Sequence, residues 1–254
     1  MNYEIVFSDV DGTLLDFDKA EKIGIERVLT HFGVKSLQQQ GIPFVIISAR
    51  SPSGIYPIQE KYGFKCPVIS YSGALILDEN KKVLYSKGFS RDLAERVIEF
   101  IEINQFDCSW NIYSKDTWIV KDKSDPRIVR EENIVQAKAI AGTIDILSDN
   151  ADVGKILCMC NPDSILDIEQ KLKEKFSSLS IVKSSNILLE IMQDGVTKGN
   201  AVKELCEMWD ISLSNTIAFG DHYNDVEMLE TVAMPFLMGN APEELKSRFP
   251  NVTE

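Results

Sequence analysis

A chain of 254 residues with 44% apolar content is long enough for a large core and two lobes, and no apolar run approaches the ~18 residues of a membrane span. With 27 basic against 39 acidic residues, the net charge of −12 argues against a nucleic-acid surface, which depends on neutralising phosphates. An anionic small substrate must then be attracted locally, by a cation, a lysine or a helix N-terminus. Met1-Asn2-Tyr3-Glu4 lacks the basic-then-apolar pattern of a secretory signal, so the cytoplasm is expected, with neither membrane nor nucleic acid as partner. The five cysteines, Cys66, Cys108, Cys158, Cys160 and Cys206, are odd in number and scattered, and read as reduced, packed thiols.

The first apolar run, Ile5-Val6-Phe7, opens onto Ser8-Asp9-Val10-Asp11-Gly12-Thr13. Alternation at a strand end sends Asp9 and Asp11 to one side, where two crowded negative charges are costly unless a cation holds them. Mg²⁺ suits that place, being a hard ion held by one or two carboxylates, waters and substrate phosphate. By itself the tripeptide reads equally well as a solvated turn, since Asp and Gly are favoured there. A helix-like stretch from Asp16 through Phe32-Gly33 joins Val34–Gln40 and Gly41-Ile42, either broken near Gly33 or forming a variant of its own. Phe44–Ile47 leads to Ser48-Ala49-Arg50, and Val68-Ile69 leads to Tyr71-Ser72-Gly73-Ala74.

Such alternation of short strands and helical segments indicates an α/β fold with a doubly wound, Rossmann-like parallel sheet. Its ligands bind beyond the carboxyl ends of the strands, where Asp9, Ser48 and Asp221 all fall. Leu75-Ile76-Leu77 and Val83-Leu84-Tyr85, either side of Asp78-Glu79-Asn80-Lys81, predict a β-hairpin leading out of the core. From 86 to 188 the pattern changes. A helix carrying Leu93, Val97, Ile98 and Ile101 precedes paired strands at Trp110–Tyr113 and Thr117–Val120, then Lys155–Cys160 and a helix over Ser164–Phe176. This predicts an inserted α+β cap over 86–188, between core segments 1–85 and 189–254. The cap's Trp110, Tyr113 and Trp118 read as core in preference to substrate contacts. Glu190-Ile191-Met192 is expected to return to the core. Thr197-Lys198-Gly199 opens a helix with inner face Ala201, Val202, Leu205, Met208 and Trp209, and Ile217-Ala218-Phe219 ends in Gly220-Asp221-His222-Tyr223-Asn224-Asp225.

The four clusters around Asp9, Ser48, Lys198 and Asp221 resemble the ordered motifs of the haloacid dehalogenase-like phosphohydrolases, in particular their Cof-type branch with its large cap between the second and third motifs. The resemblance implies that Asp9 takes the phosphoryl group as an aspartyl phosphate and that Asp11 serves as general acid, then base. It implies Mg²⁺ held by Asp9, the Asp11 backbone carbonyl and Asp221, with Asn224 and Asp225 orienting that shell. Ser48 and Lys198 would cradle the phosphoryl group, with Arg50, Ser72, Gly73 and Asn224 as further phosphate or substrate contacts. His222 would face substrate or solvent.

The chain departs from the branch in several places. Ala49 stands where relatives have Gly, Ser72 where they often have Asn, the 16–34 segment is closer to class I relatives, and Glu254 comes before a final strand and helix that relatives carry. The expected function is Mg²⁺-dependent hydrolysis of a small phosphorylated metabolite, such as a sugar phosphate or a cofactor-related phosphate. A sugar phosphomutase could use the same core, and a non-catalytic binding descendant could keep the fold, although it has no chemical need for Asp9, Asp11, Ser48, Lys198 and Asp221 together. Oligomeric state is not legible.

Overall fold

The computed structural model describes residues 3–15 and 28–253, so most of the 16–34 segment lies outside the described residues. Where it is described, a helix runs from Val28 to Gln39 through Gly33 without a break.

The chain divides into two compact units: Met1–Ala49, Ile55–Tyr85 and Thr197–Glu254 form the first, and Arg50–Gly54 with Ser86–Val196 the second. In chain order the strands are β1 (Ile5–Ser8), β2 (Phe44–Ile47), β3 (Val68–Ser70), β4 (Leu75–Leu77), β5 (Val83–Ser86), β6 (Phe89–Ser90), β7 (Cys108–Ser114), β8 (Thr117–Val120), β9 (Ile140–Ala141), β10 (Asp152–Val153), β11 (Lys155–Cys160), β12 (Leu179–Lys183), β13 (Leu188–Gln193), β14 (Thr216–Gly220) and β15 (Met234–Leu237).

The first unit is built on a sheet of order β15-β14-β1-β2-β3-β4-β5, parallel from β15 to β3. Fully buried apolar strands such as Ile5-Val6-Phe7 and Val45-Ile46-Ile47 are what a sheet covered on both faces requires. One face, with Ile5, Phe7, Val45, Ile47 and Ile69, packs against Ala201, Val202, Leu205, Met228, Leu229 and Leu245. Met208, predicted for the inner face of its helix, is 42% exposed, because it falls in the last turn, past the sheet-facing stripe. β4 runs antiparallel to β3, and β5 follows it at the sheet edge. The predicted hairpin is therefore part of this sheet, and the chain leaves the first unit directly after it.

From β1 the chain adds β2 and β3 on one side and later returns to add β14 and β15 on the other, which puts the reversal of strand order between β1 and β14. That reversal opens a crevice beyond the strand ends.

The second unit has a largely antiparallel sheet, β12-β13-β11-β7-β8-β9, with a separate two-stranded ribbon β10-β6. Ile112, Ile119, Ile156, Leu189 and Ile191 pack with Ala94, Val97 and Ile101 of the helix Arg91–Ile103 and with Ile165, Ile168 and Leu172 of the helix Ile165–Lys175. A further helix, Pro126–Val135, which apolar periodicity had not revealed, starts at Asp125, whose carboxylate accepts from Arg127 N at 2.9 Å. Glu190-Ile191-Met192 does not return to the core sheet. It lies in β13, which pairs with both β11 and β12, so the hydrogen-bond ladder keeps it in the second unit. Trp110 is buried toward the helices and donates to Glu102 Oε1 at 3.1 Å. Tyr113 and Trp118, on the other face by alternation, are buried and stacked at 5.5 Å. No helix among the described residues is long and apolar enough to cross a membrane.

Candidate active site

β1 ends at Ser8 and β14 at Gly220, with Ser8 opposite Phe219. The register is held one step further by Asp9 N donating to Phe219 O at 3.0 Å, so Asp9 and Asp221 emerge side by side. Val10–Leu15 forms a tight loop in which Leu15 N donates to Val10 O and Gly12 N to Leu15 O, each at 2.8 Å. Gly12 has φ +86°, and a Cβ there would stand 2.0 Å from Asp221 Oδ2. Only glycine lets the loop lie this close to the carboxylate.

The helix Lys198–Met208 begins at this point, Thr197 Oγ1 accepting from Asn200 N at 3.1 Å as its cap. Its first residue, Lys198, is 1% exposed. The ammonium donates to Asp9 Oδ1 and Asp225 Oδ1, each at 2.6 Å. Oδ2 of Asp225 accepts from Asp221 N at 3.0 Å and His222 N at 3.1 Å. Asp225 is thus committed at both oxygens, holding the lysine with one and shaping the Asp221 loop with the other. Asp221 accepts from Asn240 Nδ2 at 3.0 Å and from Thr13 Oγ1 at 3.5 Å.

Ligand oxygens of Asp9, Asp221 and Asp225 all lie within 4.8 Å of one another, and all three residues are buried. Burial pushes the Asp9 carboxyl up to about 7, Lys198 drawing it down and Asp225 raising it again. Burial, then Asp225, also raises Asp221. Burial would lower Lys198, but Asp225 and Asp9 outweigh it and hold the ammonium above its ordinary value. Once all three are ionised, three carboxylates against one ammonium among the described residues leave an excess of two negative charges in a buried place. A divalent cation balances that excess, and an all-oxygen donor set is what a hard ion such as Mg²⁺ takes.

Ser48, Ser72 and Gly73 stand beyond the neighbouring strands β2 and β3. Ser48 follows β2, is buried, donates from its N to Ile69 O and accepts at its O from Ser72 N, both at 2.9 Å. Tyr71 (φ 52°) and Ser72 (φ 54°) are successive non-glycine residues in the left-handed region, and Gly73 follows at φ 119°. There a Cβ would meet Thr197 O at 2.5 Å, so this turn abuts the cap of the lysine helix. Asp11 is half-buried, and its carboxylate is not one of the three that converge. Arg50 bonds Gly54 O at 3.3 Å across the first turn of the helix Pro52–Tyr62.

Asn224 is exposed on the tight turn Tyr223–Asp225, where neighbouring side chains point apart and Asp225 takes the inward place beside Lys198. The amide at the cluster comes instead from Asn240, in Met238-Gly239-Asn240-Ala241 just past β15. Its position after an apolar strand was the signal available for it. Thr13 gave no separate signal. His222 is exposed and packs edge-on against Tyr223 at 4.9 Å.

The sequence pattern of the haloacid dehalogenase-like hydrolases matches residues 6–254. The chain belongs to this family. A Haemophilus influenzae protein named as a candidate phosphatase is 35% identical over 247 residues, 97% of this chain and 90% of that one. The HMP-PP phosphatase of Serratia proteamaculans is 25% identical over 98% of this chain and 89% of its own. A crystal structure of a haloacid dehalogenase-like hydrolase from Bacteroides thetaiotaomicron superposes with a TM-score of 0.88 at 23% identity, covering 99% of this chain and 94% of that one. The Cof-type reading is supported across the whole chain, and the activity class is phosphomonoester hydrolysis.

Proposed function

We propose that this haloacid dehalogenase-like hydrolase is a Mg²⁺-dependent phosphatase of a small phosphorylated metabolite, acting in two steps through a phosphoryl group carried on Asp9. The excess of two buried negative charges around Lys198 carries this reading. Asp9 and Asp221, with the Asp11 backbone carbonyl, would hold the ion, since Asp225 already uses both oxygens. When bound, Mg²⁺ would neutralise charge on the phosphate and fix its orientation.

Asp9 is the nucleophile, and carrying the phosphoryl group on its carboxylate splits one difficult hydrolysis into two easier steps. Asp11, less buried and outside the converging carboxylates, donates a proton to the leaving alkoxide and then recovers one from the attacking water. Lys198 holds Asp9 in place and offers its positive charge to the phosphoryl oxygens, with the Ser48 hydroxyl as a second donor. Asp225 fixes the ammonium that would otherwise have other rotamers. Ser72, Gly73 and Arg50 remain candidate contacts to the substrate's phosphate end. The second unit supplies selectivity in this reading. The sheet face turned from its helices carries Asn111, Tyr113, Lys155 and Glu190, and the last two pair at 3.5 Å while largely buried.

Phosphate release from a phosphomonoester panel tests the proposal. Turnover should need Mg²⁺, vanish with excess EDTA and be abolished in Asp9→Asn. An aryl phosphate needs little acid help, so rapid quenching of Asp11→Asn with one should trap a phosphoryl group on the peptide holding Asp9. Inversion at a chiral phosphorus, or normal turnover in Asp9→Asn, would remove Asp9 from the nucleophile role.

A further inference from the structure

Three of the five cysteines converge in the second unit. Cys108 opens β7, and Cys158 and Cys160 stand two residues apart on β11, so alternation sends both to one face. The register sets Cys160 directly opposite Cys108, and Cys158 opposite Trp110. Cys160 N donates to Ile187 O at 2.7 Å and Cys108 N to Phe106 O at 2.8 Å, while the next pair is bonded, Asn161 N to Asp107 O at 3.1 Å. The Cys108–Cys160 pair is therefore of the non-hydrogen-bonded kind, in which side chains come closest. Such pairs stand about 4.5 Å apart at Cα, inside the roughly 4.4–6.8 Å that a disulfide spans. The diagonal from Cys108 to Cys158 is longer, at about 7–8 Å between Cα atoms, so although the Cys158 sulfur also lies within hydrogen-bonding reach of Cys108, the directly opposite Cys160 is the one set to bridge.

Access separates the three thiols. Cys158 and Cys160 are buried and Cys108 is only partly so. Cys160 also lines an open cavity of about 660 Å³ whose wall includes Asp107, Asp125, Arg127 and Asn161. The geometry points to a reversible oxidation site, at which a peroxide-class oxidant converts Cys108 and Cys160 into a cross-strand disulfide.

The Cys108 thiolate attacks a peroxide oxygen, the O–O bond breaks, and sulfenic acid forms as the peroxide is reduced to water. The Cys160 sulfur then attacks the Cys108 sulfur, hydroxide leaves and takes the Cys160 proton, and a second water is released. Two thiols and one hydrogen peroxide thus become one disulfide and two waters. Hydrogen bonding from Cys158 and then Cys160 holds the Cys108 thiol down at about 4 against burial, with Arg127 assisting and Asp107 opposing. The same bond to Cys108, together with burial, pushes Cys160 up, so its part in the second step rests on its place directly opposite Cys108, its proton passing to the leaving hydroxide. Burial raises Cys66 to about 12 and Cys206 to about 11, so these two serve as unreactive internal controls.

Treatment of the purified full chain with hydrogen peroxide, followed by denaturing thiol titration and peptide mapping, is the test. Five titratable thiols should fall to three, the mass should drop by two hydrogens, and one peptide pair should join Cys108 to Cys160, all reversed by dithiothreitol. Cys158→Ala should keep the cross-link. Cys160→Ala should lose it and leave Cys108 as a sulfenic acid that dimedone traps. A bond from Cys108 to Cys158, a cross-link surviving in Cys160→Ala, or five thiols remaining after peroxide would overturn the proposal. The map of the unmutated chain decides the pairing even if a variant fails to fold.

Discussion

Lys198 is the residue on which the site's electrostatics turn, since its ammonium meets two buried carboxylates at 2.6 Å each. Lys198→Met should lower kcat by about 10²–10³-fold, as loss of a donor aimed at developing charge does. In EDTA it should also destabilise the chain by ~3 kcal/mol, because Asp9 and Asp225 lose their counter-charge. Stopped-flow phosphate release and urea unfolding check the two effects separately; an unchanged kcat with a lowered midpoint would leave the lysine a purely structural role. The pH dependence has a definite sign. Asp9 is raised from 3.8 to about 7 in the folded chain, and Asp221 is raised as well. Unfolding therefore releases protons between those values, so this contribution to stability is present at the acidic end and lost as pH rises to about 7. A cation must displace the same protons. The rise in Tm on adding Mg²⁺ should accordingly be larger near pH ~8 than near pH ~5.5, and scanning fluorimetry in paired EDTA and Mg²⁺ buffers reads it.

Among the elements, the helix Lys198–Met208 positions the lysine through its first turn. Thr197 caps that turn, and its hydroxyl also donates to Glu227 Oε1 at 2.7 Å, anchoring it to the helix Val226–Thr231 that follows the Asp221 loop. Thr197→Ala should cost about 1–2 kcal/mol of stability and reduce kcat, whereas Thr197→Ser, which keeps the oxygen, should recover most of both. Thermal melts alongside kcat for the two variants distinguish capping from mere packing, because packing alone would not be rescued by serine. The 3₁₀ turn Tyr223–Asp225 shows the same dependence on local geometry. It presents Asp225 inward and Asn224 outward, although the two are neighbours of similar size and polarity.

At the scale of the molecule, the boundary of the second unit is set by a hydrogen-bond ladder. β13 joins β11 to β12, so cutting at 188 strands the middle member of three paired strands. Exchange of 86–196 with the corresponding stretch of a relative should give a folded phosphatase with altered substrate preference and an unchanged need for Asp9. Exchange of 86–188 should give a chain that melts without cooperativity. Circular dichroism and a substrate panel on both chimeras read the result, and equal folding of the two would count against the ladder as the boundary.

Much of the core site was legible because its signals are local: an apolar run followed by Asp-x-Asp-Gly, or by Gly-Asp-x-x-Asn-Asp, sets carboxylates at strand ends whatever happens elsewhere. Lys198 and Ser48 could be read the same way, each from a strand or helix terminus. Three things could not. The choice of Asp225 over Asn224 needed the backbone turn, the partnership of Asn240 and Thr13 with Asp221 joins residues 19 and 208 positions apart, and the place of Glu190-Ile191-Met192 needed strand register. An apolar strand reads alike in either sheet, because period-two burial says that a segment is paired and not with whom. The sequence by itself determined which chemical groups stand at chain turns beyond buried strands. Only the tertiary structure decided which of them meet, because contacts between distant residues depend on the path of the chain that connects them.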